Sequence, residues 1–267
     1  MMKITDALRE GAIALANDAS DAILAVYEHA FEVEHKADRS PLTAADLAAH
    51  HILVEGLEAL TPDIPVLSEE AAEDATWEVR RAWNRLWLVD PLDGTREFVK
   101  RNGEFTVNLA LIEDGEVIFG IVQAPVGRQL WHATRGEPAM RREGDREFTL
   151  QSRRPATAPL RVAGSRSHRD ARTDALIARL GDVEVMGIGS SLKFCRLADG
   201  GLDVYPRFGP TSEWDTAAGQ IVLESAGGLV VDRKGRPLRY NQRDTLLNGD
   251  FLAVGDPDLP WKDWIAA

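Results

Sequence analysis

The chain has 267 residues, 44% hydrophobic and 28% charged, which suits one large globular domain or two moderate ones with a sizeable core. Its 31 basic and 43 acidic residues give a net charge of −12, which argues against broad nucleic-acid binding, since that needs clustered Lys and Arg against phosphates. The single cysteine, Cys195, excludes an intrachain disulfide and a Cys-rich zinc site, and its apolar surroundings, SLKFCRL, make it a core residue.

Residues 4–30 carry apolar positions at helical spacing with acids between them, and no apolar run of signal-peptide type. Residues 44–60, AADLAAHHILVEGLEAL, repeat that period. No segment approaches about 18 uninterrupted apolar residues, so no membrane span is expected and the cytoplasm is the expected compartment. PVLSEE reads as a short strand running into Glu69 and Glu70, and RLWLVDP as a second strand. FTVNLALIEDGEVIFGIVQAP is a hairpin turning at Asp114-Gly115, and QLWHATRGEPAMRR continues the strand pattern around Arg135-Gly136. The polar stretch EFTLQSRRPATAPL suggests a boundary near residues 152–158, between an N-terminal unit, 1–155, and a C-terminal unit, 156–267. Beyond it strands and helices alternate: LRVAGS, a helix over 168–180, VEVMGIG, a helix from Ser191, LDVYPRF, and a helix over 213–226 ending at Gly227-Gly228. The first half reads as α+β with a mostly antiparallel sheet, the second as α/β, and their sum is a layered sandwich.

The acids gather at strand ends. Glu69 closes PVLSEE, and Asp90 and Asp93 close LWLVDPLD. Clustered carboxylates repel unless a cation lies among them, and Mg²⁺ takes a few carboxylates together with phosphate and water. An EF-hand is a poor alternative, because the twelfth position from Asp90 is Arg101 rather than Glu. A phosphatase with a nucleophilic Asp and a second Asp two residues on is equally poor, because the spacing here is three. Asp46 and Asp215 each follow a Thr or Ser by three residues (Thr43, Ser212), as in a capping box with Asp in place of Glu, so each is explained by helix capping or by a shared site. The amides at Gly94-Thr95 could face a phosphate. Ser190 and Ser191 cap a helix whose first turn carries Lys193, against the helix dipole. SRSHRD brings Arg166, Ser167 and His168 to a loop, and YPRFGP brings Arg207 to a strand end, together a pocket for a second phosphate.

WLVDPLDGTREF and WDTAAG resemble the paired signatures of the inositol monophosphatase superfamily, lithium-sensitive, magnesium-dependent phosphatases. Within it, KADRSPLTAADLAAH, VDPLDGTREFVKRNGEFTVNLALI, GSSLKFC and VYPRFGPTSEWDTAAG are similar to the CysQ-type 3'(2'),5'-bisphosphate nucleotidases, over roughly residues 30–245. The resemblance implies a layered αβαβα fold of the sugar phosphatase type. It implies metal ligation by Glu69, Asp90, Asp93 and Asp215 and by the Leu92 carbonyl, with two or more Mg²⁺ ions and inhibition by Li⁺. It gives Asp46, Glu69 and Thr95 catalytic roles. It places substrate on Glu69, Leu92, Asp93, Gly94, Thr95, Ser167, His168, Ser190, Lys193, Arg207 and Asp215. The implied reaction removes the 3'-phosphate of adenosine 3',5'-bisphosphate (PAP), and of 3'-phosphoadenylylsulfate (PAPS) as a second substrate, in sulfur metabolism. Some relatives associate with the cytoplasmic face of the inner membrane, for which an acidic chain without an anchor carries no signal. The tail GDPDLPWKDWIAA is outside the resemblance.

Overall fold

The computed structural model describes residues 2–29, 33–35, 41–165 and 171–265. The elements in chain order are α1 (Asp6–Tyr27), β1 (Val33–His35), β2 (Pro41–Thr43), α2 (Ala44–Leu60), β3 (Val66–Ser68), α3 (Trp77–Arg80), β4 (Arg85–Asp93) and α4 (Thr95–Val99). Then come β5 (Thr106–Glu113), β6 (Glu116–Ala124), β7 (Gln129–Thr134), β8 (Met140–Glu143), β9 (Arg146–Thr149), β10 (Leu160–Ser165), α5 (Ala171–Arg179), β11 (Val183–Ile188) and α6 (Leu192–Ala198). The chain ends with β12 (Val204–Arg207), α7 (Ala217–Ser225), β13 (Leu229–Asp232), β14 (Phe251–Val254) and α8 (Trp261–Ile265). No helix among the described residues is long and apolar enough to cross a membrane.

The strands β3 to β9 form a seven-stranded sheet in sequence order, with β3 and β4 parallel and the other pairs antiparallel. A five-stranded sheet has the order β11-β10-β12-β14-β13, with β10 parallel to both neighbours and β14 antiparallel to both of its own. Side chains alternate faces along a strand, so each sheet feeds two cores. Along β4, Trp87 and Val89 join the core under α1 and α2, while Leu86 and Leu88 join a second core on the other face. That second core contains Phe194, Cys195 and Leu197 from α6 and Ala218, Ile221 and Val222 from α7, together with Phe251 and Ala253 of β14. The alternate residues Leu252 and Val254 face a third core under α5 and α8, with Leu176, Ile177 and Trp261. The result is five layers, α1/α2, sheet, α6/α7, sheet and α5/α8, as the αβαβα expectation requires. Gly120 lets α7 lie close on the first sheet, because a Cβ there would stand 2.6 Å from the Ile221 Cγ2 methyl.

The structure corrects the element boundaries in three places. The opening of the polar linker is an edge strand, β9, paired with β8. The helix expected over 213–226 is a 3₁₀ turn, Glu213–Asp215, followed by α7, with a break at Thr216 (φ −120°, ψ −32°). There the Asp215 carboxylate turns back to the Ser212 N–H at 2.8 Å and closes the turn before an α-helix can propagate. The pattern reading assigned no elements to 229–265, where β13, β14 and α8 lie. The expected start of the 168–180 helix lies outside the described residues.

Candidate active site

Three strand or helix ends bring carboxylates together. β3 delivers Glu69, β4 delivers Asp90, and the 3₁₀ turn before α7 delivers Asp215. One carboxylate oxygen from each lies within 4.8 Å of the others. Asp90 is 1% exposed and accepts the Leu92 N–H at 3.1 Å. Burial, and then the charges of Glu69, Asp93, Asp215 and Asp46, push its carboxyl well above the ordinary carboxylate range. Asp215 is pushed the same way by burial, Asp93 and Glu69. Among the described residues no Arg or Lys forms an ion pair with Asp90, Asp93 or Asp215. Hard oxygen donors held this close, one of them fully buried, are a donor set for a small divalent cation.

Both capping boxes form, and they serve the site. Asp46 Oδ2 accepts the Thr43 N–H at 2.8 Å and the Thr43 hydroxyl at 2.7 Å, which fixes the start of α2. Its other oxygen, Oδ1, accepts the Thr95 hydroxyl at 3.3 Å, and the Leu92 carbonyl is a second acceptor for Thr95 at the same distance. Capping and site-building are therefore one arrangement rather than alternatives.

Asp93 takes a different position from the other acids. Its Oδ2 accepts the Ser191 N–H at 2.6 Å, and the Ser191 hydroxyl lies 2.6 Å from the same oxygen and 2.7 Å from the Asp215 carbonyl. Asn108 donates to Ser191 Oγ at 2.9 Å. This clamp joins β4 and β5 to the start of α6 and to the Asp215 turn. The carboxylate trio does not include Asp93, whose Oδ2 takes all three of its bonds from Asn108 and Ser191.

A cavity of about 330 Å³ opens over these groups and is lined by Glu69, Asp90, Leu92, Asp93, Gly94 and Thr95 on one side. Ser190, Lys193, Arg207 and Asp215 line it from the other. Gly94 has φ +93°, in the left-handed region that glycine favours, and a Cβ there would stand 3.1 Å from the Glu104 carbonyl oxygen. Lys193 donates to the Ser190 carbonyl at 2.5 Å and lies over the Tyr205 ring. Burial brings its ammonium down to about 8, against the pull of Asp93. Arg207 donates to the Pro210 carbonyl at 2.7 Å, while its Nε is buried with no partner.

The profile of the inositol monophosphatase family matches residues 5–257. The chain belongs to the inositol monophosphatase family. A relative from Escherichia coli O157:H7, described as 3'(2'),5'-bisphosphate nucleotidase CysQ, is 52% identical over 240 residues, covering 89% of this chain and 95% of that one. The crystal structure of CysQ from Bacteroides thetaiotaomicron is 40% identical and superposes with a TM-score of 0.79, covering 92% of this chain and 96% of that one. An inositol monophosphatase from Zymomonas mobilis is 27% identical, with a TM-score of 0.77 and 98% of each chain covered.

Of the residues that the family resemblance pointed to, Glu69, Asp90, Leu92, Asp93, Gly94, Thr95, Ser190, Lys193, Arg207 and Asp215 line one cavity, and Asp46 bonds to Thr95 beside it. Ser167 and His168 lie outside the described residues. Sequence reading passed over Asn108 and gave Ser191 only a capping role. A polar residue inside the apolar run FTVNLALI was the available signal for Asn108. Tyr205 and Thr211, which also line the cavity, carried no such signal.

Proposed function

We infer that this chain is a magnesium-dependent phosphomonoesterase of the 3'(2'),5'-bisphosphate nucleotidase type. It hydrolyses the 3'-phosphate of PAP to AMP and phosphate, and that of PAPS to adenylylsulfate. The observation that carries the reading is the close trio Glu69, Asp90 and Asp215, lining one cavity with Thr95, whose hydroxyl is held by Asp46. The nucleotidase description of a relative 52% identical over most of both chains supports the choice of substrate. The family is magnesium-dependent, and the donor set fits that ion.

Two or more Mg²⁺ ions are to be held by Glu69, Asp90, Asp215, Asp93 and the Leu92 carbonyl. Bound there, Mg²⁺ supplies Lewis acidity to the phosphoryl oxygens and acidity to water. The protein's own groups orient the attack. Thr43 holds Asp46 from behind, Asp46 accepts the hydrogen bond of the Thr95 hydroxyl, and Thr95, which lines the cavity, would orient the attacking water. Glu69 is the second group positioned to accept a proton. The Gly94 and Thr95 amides, at the left-handed turn that opens α4, would receive the scissile phosphate. Lys193, Arg207 and Ser190 hold the rest of the nucleotide, together with Ser167 and His168. Residues 1–155 thus supply most metal ligands, and 156–267 complete the metal site and the nucleotide pocket.

A substrate panel tests the reading: PAP, PAPS, an inositol phosphate and a sugar bisphosphate, each with and without Mg²⁺ and Li⁺. PAP is expected to give the highest kcat/KM, with no turnover in chelator and inhibition by Li⁺. Faster phosphate release from inositol phosphate than from PAP overturns the nucleotidase reading.

A further inference from the structure

The C-terminal sheet bears a second cavity, of about 200 Å³, on its α5/α8 side. Leu176, Phe208, Trp264 and Ile265 give it an apolar, partly aromatic lining, and Arg172, Arg179, Arg233 and Asp250 complete it. Arg172 donates to both Asp250 oxygens, at 2.7 and 3.2 Å, and its guanidinium lies over the Phe208 ring. Arg233 reaches the same carboxylate at 3.6 Å. Arg179 donates to a neutral acceptor, the Asp263 backbone carbonyl, at 3.2 Å. Among the residues lining the cavity, three guanidiniums stand against one carboxylate, a surplus of two positive charges in a chain of net charge −12.

An exposed Arg–Asp pair alone is worth little and needs no ligand. Here the guanidiniums rim a cavity with aromatic walls, and the fork of each matches phosphate oxygens bidentately. We propose that this cavity binds a small aromatic phosphomonoester, its ring against Phe208, Trp264 and Leu176 and its dianionic phosphate among Arg172, Arg179 and Arg233. The phosphate takes guanidinium donors that Asp250 leaves unused, so Asp250 stays paired with Arg172 and the two phosphate charges match the surplus. The site stands back to back with the catalytic cavity, since Arg207 lines that one and Phe208, the next residue, lines this one. The proposal is independent of which ester the catalytic site cleaves.

Calorimetric titration of phenyl phosphate into the full chain in magnesium-free buffer tests it. Binding is expected to survive Arg207→Ala, and to weaken by about tenfold in Arg233→Glu and again in Arg179→Glu, the loss of one charge-assisted hydrogen bond each. Inorganic phosphate, which has no ring, is expected to bind about tenfold more weakly than phenyl phosphate. Competition by a nucleoside 5'-monophosphate makes nucleotides the ligand source, and its failure beside intact phenyl phosphate binding points to a non-nucleotide aromatic phosphate. Unchanged melting of the Arg variants without ligand keeps the comparison one of binding. The proposal is overturned by binding that disappears with Arg207→Ala, by binding that ignores both Arg→Glu changes, or by no binding at all.

Discussion

Asp90 lies buried among carboxylates, with a backbone N–H at 3.1 Å as a hydrogen-bond donor and no ion pair among the described residues. In the metal-free protein that charge is a liability, because burying an uncompensated carboxylate is costly. Asp90→Asn keeps the acceptor for Leu92 and removes the charge. Its melting temperature in chelator is therefore expected to exceed that of the unsubstituted chain. In saturating Mg²⁺ the order is expected to reverse, with turnover lost. Near-normal phosphate release from this variant would falsify the ligand role. Thr95 carries a different kind of charge control, since its hydroxyl is half of the Thr95–Asp46 pair at 3.3 Å. Thr95→Ala is expected to lower kcat by about 10²–10⁴-fold with little change in melting, whereas Thr95→Ser retains most of the rate. Steady-state kinetics at saturating Mg²⁺ distinguish these outcomes, and equal losses in both variants would remove the hydroxyl from the mechanism.

Among the elements, the short ones do the positioning. The 3₁₀ turn Glu213–Asp215 is too short to be stable on its own and is held by a side-chain bond that also aims a carboxylate. Ser212 and Asp215 close the turn that breaks the helix expected over 213–226, and the same closure brings Asp215 to Glu69 and Asp90. Gly94 starts α4 in a left-handed conformation with the Glu104 carbonyl and Ser190 close by. Gly94→Ala meets both the conformational cost, about 1–2 kcal/mol, and the contact at 3.1 Å. A fall of a few degrees in melting temperature together with a loss of kcat is expected, and a thermal scan paired with an activity assay checks it. The long elements, α1, α2 and the β5–β6 hairpin, were legible because their apolar periods are unbroken. β9 was not, because its four residues are exposed and form an edge strand, REFT, with no buried face to set a pattern.

At the scale of the whole molecule, five layers surround three cores, and titration inside them couples stability to pH. Glu224, on α7, is raised to about 7 from an ordinary 4.5, chiefly by burial and against the hydrogen bond from Gln220. Between those values the folded chain holds a proton that the unfolded chain has released. This group's contribution to stability is full below about pH 4.5 and is lost as pH rises through about 7. Glu224→Gln keeps the acceptor for Gln220, so its advantage in melting temperature over the unsubstituted chain is expected to grow between about pH 5 and pH 8. A pH-independent difference would remove Glu224 as the cause. The sequence by itself determined the kinds of element, because periods of 2 and 3.6 are local and each strand's alternation assigns it two faces. It also made the candidate site legible, because Asp90 and Asp93 close β4 and Gly94 and Thr95 follow them directly. Only the tertiary structure decided how the acids are arranged. Ser191 lies 98 residues from Asp93 and clamps it aside from the Glu69–Asp90–Asp215 trio. The partners in that clamp, and the cavity that α8 closes over α5, are set by pairing and packing between distant segments, which no local period in the chain records.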